Sequence, residues 1–198
     1  MAERLEKSTS ILVTCYDGYA DLWPGFRERI KKYMEFDASV YLASVNGNAS
    51  DGDTAFMDLK TGNGEYCGRL ISALNQIQHK RIFMLLEDYY ITEPWTKELW
   101  DKMTSLHWDD PNTGKVQYGI PSDMYSFSVG TCCFKRGSRY ATSLEPGIWD
   151  REFLLGCLLP NETAWDFEVE GNRRMWKGFN RKIYFHEWRG YKNIRRKT

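Results

Sequence analysis

Two neighbouring carboxylates, Glu87 and Asp88, follow the apolar run Arg81-Ile-Phe-Met-Leu-Leu86. Acids directly after a buried strand are costly unless they meet solvent, a cation or a hydrogen-bond donor. A hard cation such as Mg2+ or Mn2+ is held by one or two carboxylates together with the phosphates of a substrate. A second polar strand end, Thr14-Cys15-Tyr16-Asp17, follows the apolar Ile11-Leu12-Val13. A third candidate lies at Thr163-x-x-Asp166, where the spacing is that of a helix capping box, with Glu168 just beyond. Acids in a first helical turn complement the helix dipole, which is reason enough for Asp166. Glu168 stands among Trp165, Phe167 and Trp149, and aromatic surroundings raise a carboxyl pKa toward the range useful in proton transfer.

The elements that must position these groups can be read from periodicity. Ile11 to Cys15, Ser39 to Val45 and Arg81 to Leu86 read as buried strands. Between them, Leu22, Phe26, Ile30 and Met34 recur every four residues, with Asp21 as the expected cap and Pro24 in the first turn. Tyr66, Leu70, Leu74 and Ile77 form a second apolar face after the loop Thr61-Gly-Asn-Gly64. A third helix is expected from Thr92-Glu-Pro94, with Trp95, Leu99, Met103 and Leu106 inward. Beyond it come strand-like pieces at Ser126 to Phe134 and Arg139 to Leu144, then a turn at Pro146-Gly147. A short helix over Ile148 to Leu158, a helix from Thr163 to about Arg174 and a strand at Lys182 to Phe185 follow. Alternating strands and helices imply right-handed β-α-β units. The expected class is therefore α/β, one Rossmann-like domain over 1–198 with a mainly parallel mixed sheet flanked by helices. Ligands of such sheets bind beyond the carboxyl ends of the strands.

Composition narrows the function classes. The 198 residues carry 27 basic and 27 acidic side chains, so the chain as a whole is no polyanion binder, and no nucleic-acid partner is expected. The basic residues gather late: Arg173, Arg174, Lys177, Arg181, Lys182, Arg189, Lys192, Arg195, Arg196 and Lys197 face only Glu170 and Glu187 after Val169. Such a segment suits an anionic membrane face or phosphates, or is simply solvated. An odd count of five cysteines without framework spacing argues against a disulfide scaffold, and three scattered histidines with no Cys-x-x-Cys pair argue against structural zinc. The charged N-terminus and the absence of a long apolar run give a cytoplasmic expectation.

Taken in order, Ile11 to Phe26, Gly62 to Tyr90, Ser143-Leu-Glu-Pro-Gly-Ile-Trp149 and Trp165-Asp-Phe-Glu168 resemble the GT-A type nucleotide-sugar glycosyltransferases. They are most similar to small bacterial enzymes of capsule and lipopolysaccharide synthesis. The resemblance covers most of the chain. It implies transfer of a sugar from a nucleotide-sugar donor to a glycan or lipid-linked acceptor, with Thr14, Tyr16, Asp17, Arg69, Glu87 and Asp88 at the donor. A tyrosine ring stacks on a base, an aspartate accepts from ribose hydroxyls, and Arg69 pairs with a diphosphate. The family's acidic motif would put Mn2+ or Mg2+ on Asp88, yet its alternate acids are here adjacent. The resemblance makes Glu168 the expected catalytic base, with Asp166 beside it as a second catalytic candidate, Glu145 a contact for sugar hydroxyls, and His186 a neighbour of metal or phosphate. The short chain leaves part of the acceptor site to a partner or a second copy, a homodimer. Two other functions fit the same residues: a degenerate carbohydrate-binding module and, further off, a metal-dependent nuclease.

Overall fold

A computed structural model describes residues 9–119, 133–186 and 190–194. Strand β1 (Thr9–Thr14) is central and fully buried, and it pairs in parallel with β2 (Val40–Ser44) and β4 (Arg81–Leu86). β3 (Met57–Lys60) extends the sheet at the edge beside β2. On the other side β7 (Gly147–Asp150) runs antiparallel to β4 and to β6 (Thr113–Tyr118), and β8 (Lys182–His186) is parallel to β6. The order is β3-β2-β1-β4-β7-β6-β8, so β7 alone opposes the common direction. This is the mainly parallel mixed α/β sheet expected from the sequence.

Alternation along the strands supplies two cores. From β4, Phe83 and Leu85 face one side and Ile82 and Met84 the other. The first side is covered by α1 (Trp23–Tyr33), which buries Trp23, Phe26 and Ile30, and by α3 (Lys97–Ser105), which buries Trp100 and Met103. The second is covered by α2 (Tyr66–Gln76), α4 (Arg151–Cys157), and the run of α5 (Ala164–Asp166), a π turn (Phe167–Gly171) and α6 (Asn172–Gly178). A small ribbon pairs β5 (Tyr89–Ile91) with β9 (Tyr191–Asn193). No helix among the described residues is long and apolar enough to cross a membrane.

Several local expectations are corrected. A 3-10 turn over Asp17–Leu22 precedes α1, so Leu22 rather than Asp21 takes the N-cap position, without a side-chain cap bond. Thr96 caps α3 by accepting from the Leu99 N–H, two residues beyond the expected start at Pro94. Ile148 to Asp150 belongs to β7, and Asp150 caps α4 through the Phe153 N–H. Arg139 to Leu144 consists of turns, not a strand. Most of the expected strand at Ser126 to Phe134 lies outside the described residues, as do Arg189, Arg195, Arg196 and Lys197 of the basic tail. The Thr163–Asp166 capping box forms in both directions, and the last strand is present as β8.

Candidate functional site

A cavity of about 270 Å³ opens at the carboxyl ends of β1, β2 and β4. Its floor is Thr14, Cys15 and Tyr16 after β1, Ala43 of β2, and Leu86, Glu87 and Asp88 after β4. Thr61 follows β3, Tyr66, Arg69 and Leu70 come from the start of α2, and Leu144 and Ala164 close the far side. The start of α2 can approach α5 because Gly68 carries no side chain: a Cβ there would lie 2.7 Å from the Pro160 carbonyl oxygen. The Cys67 N–H donates to the Glu162 carbonyl at that crossing, which sets Ala164 against the cavity.

Glu87 and Asp88 do not continue the strand. They form the turn between β4 and β5, and both residues line the cavity. Glu87 is only 5% exposed and accepts from the Tyr16 N–H at 2.9 Å. Burial pushes its carboxyl up to about 7, against the lowering effect of that N–H and of Arg69. Behind the turn, the Asp88 carbonyl accepts from the Ile194 N–H, so the β5–β9 ribbon braces the acids.

Arg69 lies over the exposed Tyr16 ring, 5.6 Å from its centroid. No carboxylate among the described residues stands within ion-pair distance of it, and its buried Nε has no hydrogen-bond partner there. Thr14 Oγ1 and the Tyr66 hydroxyl are also buried. They stand close enough for the threonine to ease ionisation of the phenol, which burial opposes more strongly, but not in hydrogen-bonding geometry. Arg69 lines the cavity together with Thr14 and Tyr66, and a guanidinium there is well suited to phosphate oxygens.

Asp17 stands just outside this lining. Its carboxylate accepts from the Val45 N–H at 3.0 Å and from Asn46 Nδ2 at 3.2 Å, tying the turn after β1 to the end of β2. Asp166 is also outside, its carboxylate engaged with the Thr163 N–H and hydroxyl in the capping box. Glu168, on the π turn, accepts from the Leu144 N–H at 2.7 Å through Oε1, and its Oε2 takes no hydrogen bond among the described residues. Leu144 lines the cavity, so one residue separates Glu168 from it. Trp149 and Phe167 are fully buried behind that wall, whereas Trp165 is 64% exposed. Glu145 accepts from the Tyr191 hydroxyl at 3.0 Å, and His186 accepts through its carbonyl from the Gly119 N–H, away from the lining.

The wall carrying Leu144 is held by residues that sequence reading passed over. Lys115 is 0% exposed, and its ammonium donates to Gln117 Oε1, the Ala141 carbonyl and the Ser143 carbonyl at 2.9, 3.3 and 2.7 Å. It also sits 4.5 Å above the Trp149 ring. Burial pulls its pKa down to about 7, partly offset by Glu168 and Glu145. Asn172 accepts from the Ala141 N–H and donates to the Ser138 carbonyl. Tyr66 was legible only as a position on an apolar helix face, and nothing in its spacing marked its hydroxyl as turned to a cavity.

No protein-family model and no curated protein matches the chain. Solved structures do. CMP:2-keto-3-deoxy-manno-octonic acid synthetase complexed with CTP superposes with a TM-score of 0.55 at 13% identity, over 91% of this chain and 90% of that one. The fold is that of GT-A glycosyltransferases and nucleotidyltransferases. The mannosyltransferase PcManGT from Pyrobaculum calidifontis, in complex with GDP-Man and Mn2+, gives 0.58 at 17% identity over 94% of this chain and 60% of that one. S. aureus TarS 1-349 with UDP-GlcNAc gives 0.59 at 16% over 93% and 57%. The chain thus spans about three fifths of those two proteins.

Glu87 is buried, keeps its proton until about pH 7 and is already bonded to the Tyr16 N–H. Among the described residues no group of three or more His, Cys, Asp and Glu side chains is placed to hold a metal ion. Arg69 brings a fixed positive charge to the same cavity. These described residues make no closed cage for a divalent cation; Asp88, with Glu87 beside it, is the carboxylate that would share one with substrate phosphates.

Proposed function

We propose that the protein is a glycosyltransferase that takes a sugar from a nucleotide-sugar donor and passes it to a hydroxyl of a glycan or lipid-linked acceptor. The observation that carries this reading is the cavity at the strand carboxyl ends, where Arg69, Thr14, Tyr66 and the two acids converge. The fold adds a prior, since solved proteins of this architecture hold CTP, GDP-Man and UDP-GlcNAc.

In this reading the donor diphosphate lies at Arg69 and the first turn of α2, whose N-cap residue Glu65 makes no side-chain cap bond. The helix terminus and the guanidinium both favour the charge that develops as the diphosphate leaves. Tyr16 is exposed and stacks on the base, and the acids after β4 accept from ribose hydroxyls. Asp17 acts by holding the loop that carries Tyr16. Glu168 is the base: its Oε1 is fixed by the Leu144 N–H and Oε2 is left to take the acceptor proton. The acceptor oxygen then bonds to the anomeric carbon, the bond from that carbon to the diphosphate oxygen breaks, and the nucleoside diphosphate departs with the bonding pair.

Thermal denaturation with UDP-, GDP-, CMP- and dTDP-sugars tests the donor assignment. A ligand at 100 times its Kd stabilises the native state by about 2.7 kcal/mol. One nucleotide class should raise the melting temperature, and Arg69→Gln should remove the shift. If no nucleotide stabilises the protein at millimolar concentration, the donor reading fails and a carbohydrate-binding module is the better description.

A further inference from the structure

Two of the most exposed aromatic side chains stand together beside the cavity. Trp165 is 64% exposed and Tyr140 38%, with ring centroids 6.4 Å apart and planes at 53°. Trp165 follows Ala164, which lines the cavity, and the Tyr140 carbonyl accepts from the Ser143 N–H, one residue before Leu144, which also lines it.

Both rings are held from behind. Tyr140 has φ +57°, a left-handed conformation in which a Cβ crowds the backbone and glycine is the usual choice. The surrounding segment fixes it there. The Ser143 N–H donates to the Tyr140 carbonyl, Asn172 bonds both Ser138 and Ala141, and Lys115 bonds the Ala141 and Ser143 carbonyls. Trp165 is carried on the turn closed by the Thr163–Asp166 capping box. A bulky residue held in a strained conformation with its ring turned outward is not explained by packing, and strain of this kind gathers at sites of function.

We propose that Tyr140 and Trp165 form a stacking platform for a pyranose ring, the subsite where the acceptor glycan rests before its hydroxyl enters the cavity. Sugar rings present C–H faces that pack on aromatic faces, and their equatorial hydroxyls reach outward to polar neighbours. Glu168, three residues beyond Trp165, has an Oε2 that takes no hydrogen bond among the described residues and is an acceptor for such hydroxyls. The platform names the acceptor side of the proposed transferase and rests on that reading for its role, but not for its ability to bind sugar.

The test uses the full chain, its Trp165→Ala variant and its Tyr140→Gly variant. Binding is followed by tryptophan fluorescence and by saturation-transfer NMR, against a panel of cellobiose, maltotriose, lactose, mannobiose and diacetylchitobiose. Neutral and anionic vesicles are run alongside, and nucleotide binding is followed by thermal shift in the same samples. At least one saccharide should bind the native protein at millimolar concentration. Trp165→Ala should weaken it tenfold or more without changing the nucleotide shift. Tyr140→Gly should lose saccharide affinity while its melting temperature stays level or rises, because glycine relieves the backbone, a pattern that a merely structural tyrosine would not give. The platform is overturned if Trp165→Ala binds saccharide as well as the native chain, or if no saccharide binds, with or without vesicle binding. Absence of any nucleotide shift in the native protein would sink the donor assignment alone.

Discussion

The Tyr16 N–H donates to Glu87 Oε1 across 2.9 Å, joining the carboxyl ends of the two neighbouring strands that floor the cavity. That bond favours the carboxylate, while burial favours the acid and wins, placing the folded pKa at about 7 against 4.5 for an ordinary glutamate. Between those values the native state keeps a proton that the unfolded chain has released. The stability this residue contributes is therefore full below about pH 4.5 and is lost as the pH rises through 7. Glu87→Gln keeps an acceptor for Tyr16 and removes the titration. Urea denaturation should show the variant level with the native protein at pH 4.5 and about 3 kcal/mol more stable at pH 8. Equal stability of the two proteins at both pH values would show that Glu87 ionises normally.

Glu168 carries two separable duties, and the two halves of its carboxylate divide them. Oε1 anchors the Leu144 N–H, and Oε2 is the proposed proton acceptor. Glu168→Gln preserves the anchor through its amide oxygen but has little basicity. Its kcat should fall by about 10²- to 10⁴-fold with the KM for donor nearly unchanged. Glu168→Ala removes the anchor too and should cost about 1–2 kcal/mol of folding stability in addition. A glutamine variant with normal turnover would assign the proton to another group.

Much of the fold was legible because its signals are local. The apolar runs of β1, β2 and β4 and the four-residue spacing in α1 and α2 need no tertiary context. The strands missed by sequence lack that signal for definable reasons. β3 buries only Leu59 of its four residues. β6 reads Thr-Gly-Lys-Val-Gln-Tyr, with Lys115 and Gln117 buried in a polar network that no spacing rule announces. β7 is four residues long and runs directly into a helix. At the site, polar residues at strand ends were visible, and the cavity gathers Thr14, Tyr16, Arg69, Glu87 and Asp88. The Thr163–Asp166 box is local and was legible, but the positions of Asp17 and Glu168 depend on distant partners at Val45 and Leu144, and that of Tyr140 on a backbone angle. None of the latter positions is written in residue order alone.

Lys115 offers a second pH signature with the opposite slope. Its folded pKa of about 7 is depressed from 10.5 by burial, so between those values the unfolded chain binds a proton that the native state lacks. Stability should therefore rise with pH across that interval, by up to about 1.4 kcal/mol per unit. Lys115→Met loses three hydrogen bonds and should be less stable throughout. The difference between variant and native protein should widen from pH 7 to 10, as followed by guanidinium denaturation. A constant difference would mean that the three acceptors hold the ammonium fully charged.

Arg69 has no carboxylate partner among the described residues, whereas Glu87 is tied to Tyr16, and this sets the expected metal dependence. A guanidinium already in the cavity meets a diphosphate through charge-assisted hydrogen bonds, each stabilising by about 1.5–3 kcal/mol. UDP, GDP and CDP titrated calorimetrically in EDTA should therefore include one that binds as tightly as it does with Mn2+. Arg69→Gln should weaken that nucleotide tenfold or more in either buffer, and Arg69→Lys should recover only part, since an ammonium cannot reproduce the planar fork. Asp88→Ala should leave the EDTA value within a few-fold. If binding instead appears only with Mn2+ and vanishes in Asp88→Ala, the acids after β4 are a cation site completed by the donor's phosphates. Arg69 would then be a residue that orients Tyr16 through its ring and not the anchor of the diphosphate.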